Sequence, residues 1–113
     1  MSWSPQQHVK MGCEKLEIPQ AVCDLCISTV NKIVELEVLT GKKPATIAGV
    51  AIWMVVLKHP DLLERIKSPM TVQKAVGLNA NHPHVKDRFR ELEPIENLIL
   101  PTCLKRQKLS DSD

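Results

Sequence analysis

The hydrophobic positions at the start of the chain recur at the spacing of an α-helix. Val9, Cys13 and Leu16 fall on one face of a short amphipathic helix that we expect to follow Pro5. A second, longer helix is predicted to begin at Pro19. Its polar positions form a narrow stripe, so the rest of its surface can be buried. The residues of this stripe are Gln20, Asp24, Ser28, Asn31, Lys32 and Glu35.

An uninterrupted apolar run follows the second helix. That helix is expected to end near Leu39, with Gly41 as its C-terminal cap, and the apolar run extends over residues 47–57. Lys43 and Lys58 close the run, which leaves it shorter than the roughly 20 residues of a membrane-spanning helix. Its position far from the N-terminus does not suit a signal peptide.

A buried helix explains this run better than a buried strand. The run with its flanks is longer than the roughly four to eight residues of a buried strand. Small residues such as Ala48 and Gly49 allow neighbouring helices to approach closely. Pro44 suits the first helical position, and Pro60 suits a position just past the end. We therefore predict that the run is the central helix of a small all-α bundle.

Two short helices separated by a turn are predicted in the C-terminal half. Apolar residues indicate the first helix, at Val72, Ala75 and Val76, and the inner face of the second, at Val85, Phe89 and Leu92. The turn covers residues 77–81, and the second helix covers residues 83–93. Such a pair has the outline of a helix-turn-helix. An extra amphipathic turn or two is expected before it, between Pro60 and Pro69.

Composition and charge change this picture little. The 113 residues are enough for one domain with a core of its own, and 43% of them are hydrophobic, as in ordinary globular proteins. The formal net charge of +2 is too small to indicate a nucleic-acid partner by itself. We expect a flexible N-terminus at residues 1–7, one domain at residues 8–103 and a disordered charged tail at residues 104–113.

The cysteines and histidines do not suggest a metal site or a catalytic site. Cys23 and Cys26 are three positions apart in the second helix, where both are expected to face the core. Cys13 and Cys103 supply no second pair of this spacing, so we predict four reduced thiols in an intracellular protein, without bound metal. None of the four histidines has a cysteine or carboxylate at a catalytic spacing, and we predict no enzyme activity and no cofactor.

The stretch from residue 19 to residue 55 resembles the second cyclin-like repeat of the transcription factor IIB family. In that family a long second helix ends in a Glu-Leu pair, a Gly-basic-x-Pro turn follows, and the third helix opens with a segment rich in aliphatic and small residues. Glu35-Leu36, residues 41–44 and residues 47–54 fill these places here. The resemblance extends over residues 8–101 and implies a five-helix cyclin-like bundle with a C-terminal helix-turn-helix.

The resemblance also implies a function. It suggests a general transcription initiation factor domain that binds promoter DNA next to the TATA box and the TATA-binding protein. Such a domain helps to assemble the RNA polymerase II pre-initiation complex in the nucleus, and the polymerase contact belongs to the full-length factor. We further expect a monomer that does not bind a membrane.

The residues expected to contact DNA follow from the same resemblance. Pro83 and Lys86 occupy positions that meet base edges in the family. The positions of Asn81, His84 and Arg90 lie near the phosphate backbone in the family. The turn before them departs from the family, because it is about two residues longer than a usual helix-turn-helix connection.

The charge pattern gives this region further support. On a helical wheel His82, Lys86 and Arg90 are spaced four apart and are expected to lie opposite the core-facing residues. Three acidic residues nearby would repel DNA, and these are Asp87, Glu91 and Glu93. Lys42 and Lys43 precede the third helix, whose first-turn amides are expected to bind a phosphate with their help.

Two other functions remain open at the level of sequence. One is the second repeat of the related RNA polymerase III initiation factor, which has a similar turn before its third helix. The other is a cyclin-like module that binds a partner helix in a groove and does not bind DNA. A DNA-binding domain loses affinity steeply with added salt, whereas binding in an apolar groove does not.

Overall fold

The computed structural model describes residues 3–101, and every regular element in that range is helical. The helices are α1 (Pro5–Lys15), α2 (Gln20–Leu36), α3 (Pro44–Val56), α4 (Pro60–Ile66), α5 (Pro69–Ala75), α6 (His84–Leu92) and α7 (Glu96–Ile99), with a 3-10 turn at Glu93–Ile95. This confirms the predicted all-α class. The five predicted helices correspond to α1, α2, α3, α5 and α6, and α4 is the predicted extra turn. Helix α7 was not expected from the sequence.

Helix α1 begins at Pro5 because a reciprocal cap holds its N-terminus. The Ser4 hydroxyl accepts a hydrogen bond from the Gln7 amide at 3.3 Å, and the Gln7 side chain accepts one from the Ser4 amide at 2.8 Å. The helix therefore starts before residue 8, the predicted start of the domain. The other predicted boundary, at residue 103, and the predicted tail lie outside the described residues.

Helix α3 is the centre of the fold, as predicted. Residues 48–56 are all buried, and Ile47 and Leu57 at the ends of the apolar run are half-buried. Helices α1, α2, α5 and α6 pack around it. A helix with no polar face is stable in water only when neighbours cover every side of it. None of the helices within residues 3–101 combines the length and the apolar character that crossing a membrane requires.

Helix α2 differs from its prediction at its C-terminal end. It ends at Leu36 because Glu37 adopts a left-handed conformation with φ of 55°, so Glu37 is the cap. Gly41 also has a positive φ, of 87°, but it lies in the following turn. The apolar surface of α2 is not buried throughout, since Val34 and Leu36 are 47% and 37% exposed.

Three cysteines lie together between α1 and α2. Cys13, Cys23 and Cys26 are free thiols and are buried, which confirms that Cys23 and Cys26 face the core. A hydrogen bond to Cys26 and burial raise the pKa of Cys13, and burial raises the pKa of Cys23 to about 12. Cys103 lies outside the described residues. Within residues 3–101 no group of three or more potential ligands is arranged to hold a metal ion.

The buried thiols should react slowly with alkylating reagents. At pH 8 we expect iodoacetamide to modify Cys13 and Cys23 far more slowly in the native chain than in denaturant, because their raised pKa values and burial leave little accessible thiolate. Peptide mass mapping of alkylated samples measures each site separately. Equal rates in native and denatured chains would contradict this, and a native mass below that of the reduced chain would reveal a disulfide.

Candidate nucleic-acid interface

The predicted helix-turn-helix is formed by α5, α6 and the residues between them. We name residues 76–83 the α5–α6 turn. Helix α6 begins at His84 with Pro83 as its N-cap, so it is slightly shorter than the predicted 83–93. Its inner face is buried as predicted, at Val85, Phe89 and Leu92. Because α6 packs on α3 and α5, its remaining surface faces solvent.

Two basic residues stand on the exposed surface of α6. Lys86 and Arg90 are both exposed and lie one helical turn apart. Neither makes an ion pair within the described part of the chain. Both charges are therefore available to a negatively charged ligand.

A second basic cluster lies in a cleft between the start of α3 and the start of α6. The cleft has a volume of about 300 Å³. Its lining residues are Gly41, Lys42, Lys43, Thr46, His82, His84, Asp87 and Arg88. We name it the α3–α6 cleft. The tertiary fold thus brings Lys42 and Lys43 beside His84, although they are distant in sequence.

The charges in the α3–α6 cleft are mixed but mainly positive. The Asp87 carboxylate is 3.7 Å from Nε2 of His82, and the ring of His82 packs against His84 with 4.9 Å between centroids. Arg88 pairs with Glu91 at 2.9 Å. Because the charge of Arg88 is offset by Glu91, the two lysines, which make no ion pair within residues 3–101, give the cleft its positive charge against the one carboxylate of Asp87, and this arrangement attracts an anion.

Two expectations about these charges need correction. His82 lies in the α5–α6 turn and precedes α6, so it does not continue the row of Lys86 and Arg90 along the helix. The first turn of α3 also offers few free amides, because Pro44 has no N–H and the Thr46 amide donates to the Lys43 carbonyl at 3.0 Å. A phosphate in the cleft would be held mainly by side chains.

A comparison with protein-family models decides the family. The model described as "Transcription factor TFIIB repeat" matches residues 2–93 of the chain. The chain belongs to the TFIIB repeat family. No curated protein and no solved structure matched it. The match includes α1 to α6, so the helix-turn-helix lies within the family region, and the cyclin-like fold is confirmed. The family is one of general transcription initiation factors and not of known enzymes.

The seven predicted DNA-binding residues of this TFIIB repeat fall into three groups. Lys42, Lys43 and His84 line the α3–α6 cleft. Lys86 and Arg90 stand on the open surface of α6. The remaining two, Asn81 and Pro83, lie in the α5–α6 turn. Asn81 is exposed and its amide donates to the Asn79 side chain at 3.2 Å, whereas Pro83 is half-buried.

One polar residue important to this region is not identified by the charge pattern or the resemblance. Gln73 on α5 is only 1% exposed, and its side chain hydrogen-bonds the α5–α6 turn and α6. The signal in the sequence is its spacing of three residues from Val76, which places a glutamine on the buried side of a helix. Buried polar side chains are normally hydrogen-bonded, so such a residue indicates a specific partner.

Proposed function

We propose that this domain is the second cyclin-like repeat of a transcription factor IIB-type initiation factor and that it binds promoter DNA next to the TATA box. The observation that carries the proposal is a pair of exposed basic residues, Lys86 and Arg90, on the second helix of a helix-turn-helix, neither of which makes an ion pair within residues 3–101. The family match and the resemblance between residues 19 and 55 support it.

Helix α6 would lie in the major groove of the DNA. The second helix of a helix-turn-helix contacts base edges with residues in its N-terminal part. Lys86 is in the first turn of α6, and a lysine there can donate to O6 and N7 of guanine. Arg90, one turn later, would bind the phosphate backbone at the edge of the groove. Pro83 and Asn81 would approach the DNA from the α5–α6 turn.

The α3–α6 cleft would bind a second part of the phosphate backbone. Lys42 and Lys43 on one side and His84 on the other provide donors to one phosphate group. Asp87 disfavours an anion in its immediate neighbourhood, and its approach to His82 reduces this effect when the histidine is protonated. Two contact regions on separate helices would fix the orientation of the domain on the duplex.

The partners in this proposal follow the family role. The domain would act beside the TATA-binding protein as a monomer in the nucleus, and RNA polymerase II would be contacted by the full-length factor. The related RNA polymerase III factor would use the same surface on DNA, so the two systems differ in the polymerase that is recruited.

The double substitution Lys42→Glu/Lys43→Glu tests the cleft. We expect weaker binding to all duplexes alike, with a salt slope smaller by about one unit for each phosphate that the domain no longer binds. Gel-shift titrations at several salt concentrations, on TATA-containing DNA with the TATA-binding protein present, measure both quantities. Lys15→Glu is a matched control. Lys15 is exposed at the end of α1, and the carbonyl of the next residue, Leu16, accepts a hydrogen bond from Arg65 in α4, which follows the C-terminal end of α3. Unchanged binding by the double variant would exclude the cleft from the DNA interface.

A specific observation favours a second candidate, a protein-interaction module. An apolar cleft of about 300 Å³ lies at the end of α2, lined by Ile33, Val34, Leu39 and Ile47 among others. The exposed Val34 and, nearby, Leu36 provide the apolar surface that a partner helix needs. Absence of DNA binding at low salt would favour this candidate over the DNA-binding proposal.

A further inference from the structure

The start of α6 lacks the usual N-terminal cap. The first amides of a helix have no partner within the helix and normally receive one from a Ser, Thr, Asp or Asn side chain at the N-cap. Pro83 occupies the N-cap here and makes no side-chain hydrogen bond to the helix. The α5–α6 turn that delivers the chain to this point is also longer than usual. A side chain from outside α6 can take the place of the missing cap.

Gln73 supplies that group from the preceding helix. Its Oε1 accepts a hydrogen bond from the Val85 amide at 3.1 Å, in the first turn of α6. Its Nε2 donates to the carbonyl oxygens of Asn79 at 2.5 Å and His82 at 2.6 Å, in the α5–α6 turn. One side-chain amide thus joins α5 to the turn at two points and to the start of α6.

The burial of Gln73 makes these bonds important. At 1% exposure its amide has no access to solvent, so water cannot replace a missing partner. The backbone of Gln73 takes part as well, because its carbonyl accepts from the Leu78 amide at 3.0 Å. The remaining partners of the side chain are backbone groups of Asn79, His82 and Val85. The Gln73 side chain therefore helps to set the geometry of the turn, together with Gly77, whose φ is 89°.

We propose that Gln73 is a positioning residue for DNA recognition, whose amide holds α6 at the angle that presents Lys86 and Arg90 to the groove. This inference rests on the proposed function. Without the amide, the turn and the first turn of α6 would become mobile, and DNA would have to order them on binding. Affinity would fall while the number of phosphates bound in the complex stayed the same. Loss of positioning is thus distinguishable from loss of charge by the salt slope.

Gln73→Met tests the inference, because methionine has a similar length and no hydrogen-bonding amide. We expect DNA affinity to fall on the order of tenfold. The salt slope should equal that of the wild-type chain, since no cationic group is changed. Hydrogen exchange by NMR should show faster exchange at the Val85 amide, and circular dichroism should show unchanged helix content. Wild-type affinity in a folded Gln73→Met chain would overturn the inference.

Gln73→Glu provides a rescue experiment. An ionised carboxylate can accept from Val85 but cannot donate to Asn79 or His82, whereas a protonated carboxyl group can donate to one of them. Affinity relative to wild type should therefore recover as the pH is lowered. Measuring Gln73→Glu and the wild-type chain at each pH removes from their ratio the effects on affinity that the protonation of His82, His84 and Asp87 has in both chains alike. If the affinity of Gln73→Glu relative to wild type does not change with pH, the proposed role is contradicted. The same comparison tests the inference in the event that Gln73→Met does not fold.

Lys86→Glu, measured alongside, separates the two proposals. If Lys86→Glu weakens binding and Gln73→Met does not, the positioning role fails and the proposed function stands. If Lys86→Glu has no effect on any DNA, α6 is not the recognition helix, so the part of the proposed function that rests on Lys86 fails, and the role of Gln73 in recognition fails with it. Weaker binding by both variants, with the wild-type salt slope kept in Gln73→Met, supports both.

Discussion

Gly49→Leu should destabilise the domain by about 1–3 kcal/mol through overpacking. A Cβ atom added at Gly49 would lie 2.6 Å from a methyl group of Val85, closer than side-chain atoms can pack without movement. Gly49 is in the middle of the central helix α3, and Val85 is in the first turn of α6. The larger side chain must push α6 away from α3, so DNA binding should weaken together with stability.

Urea unfolding followed by circular dichroism measures the change in the free energy of unfolding, and thermal unfolding measures the melting temperature. For a domain of this size, each kcal/mol of destabilisation should lower the melting temperature by about 4–8 °C. Ala21→Leu is the matched control, since Ala21 is exposed on α2 and a larger side chain there meets no packed neighbour. An unchanged melting temperature for Gly49→Leu would refute the close approach of α3 and α6.

A double-mutant cycle with Gly49→Ala and Val85→Ala tests the contact itself. The smaller side chain at residue 85 should relieve part of the clash, so the cost of Gly49→Ala should be lower in the Val85→Ala background. Additive effects would mean that the destabilisation has another origin.

Lys86→Glu should weaken DNA binding by about 1–3 kcal/mol if Lys86 contacts a base. The side chain is exposed and makes no ion pair within residues 3–101, so the substitution should leave the fold intact. The variant should also lose preference for the promoter sequence next to the TATA box, here called the upstream element. If Lys86 instead binds a phosphate, all sequences should weaken alike and the salt slope should fall by about one unit.

Gel-shift titrations on duplexes with and without the upstream element distinguish these outcomes, with the TATA-binding protein present. Lys15→Glu makes the same charge change at the end of α1, which packs on α2, α3 and α5, and should have little effect on affinity at moderate salt. Lys86→Gln separates the loss of the positive charge from the addition of a negative one. Unchanged binding on every duplex would exclude α6 as the recognition helix.

The sequence alone determined the class of fold and the place of its central helix. The apolar run over residues 47–57 has no polar face. A helix of this kind is stable in water only when other helices cover it, so its burial follows from its composition. The inner faces of α1 and α6 follow equally from helical spacing, because the period of apolar residues encodes which side of a helix is buried.

The pattern of apolar residues does not determine where α2 ends. Apolar residues continue past Leu36 to Val38 and Leu39, which favours a longer helix. The chain instead turns at Glu37 in a left-handed conformation, and Leu39 is buried beyond the turn. The local preference of these residues for a helix is outweighed there by the burial of Leu39, which the turn makes possible.

Only the tertiary structure decided what lies opposite each helix face in the candidate site. Lys42, Lys43 and His84 line the same α3–α6 cleft, and the Gln73 side chain bonds the Val85 amide. These residues are far apart in the sequence, and helical periodicity does not predict that they meet. Periodicity reports only whether a residue faces inward. Which groups meet is fixed by how the helices pack, and at Gly49 that packing depends on the absence of a single side chain.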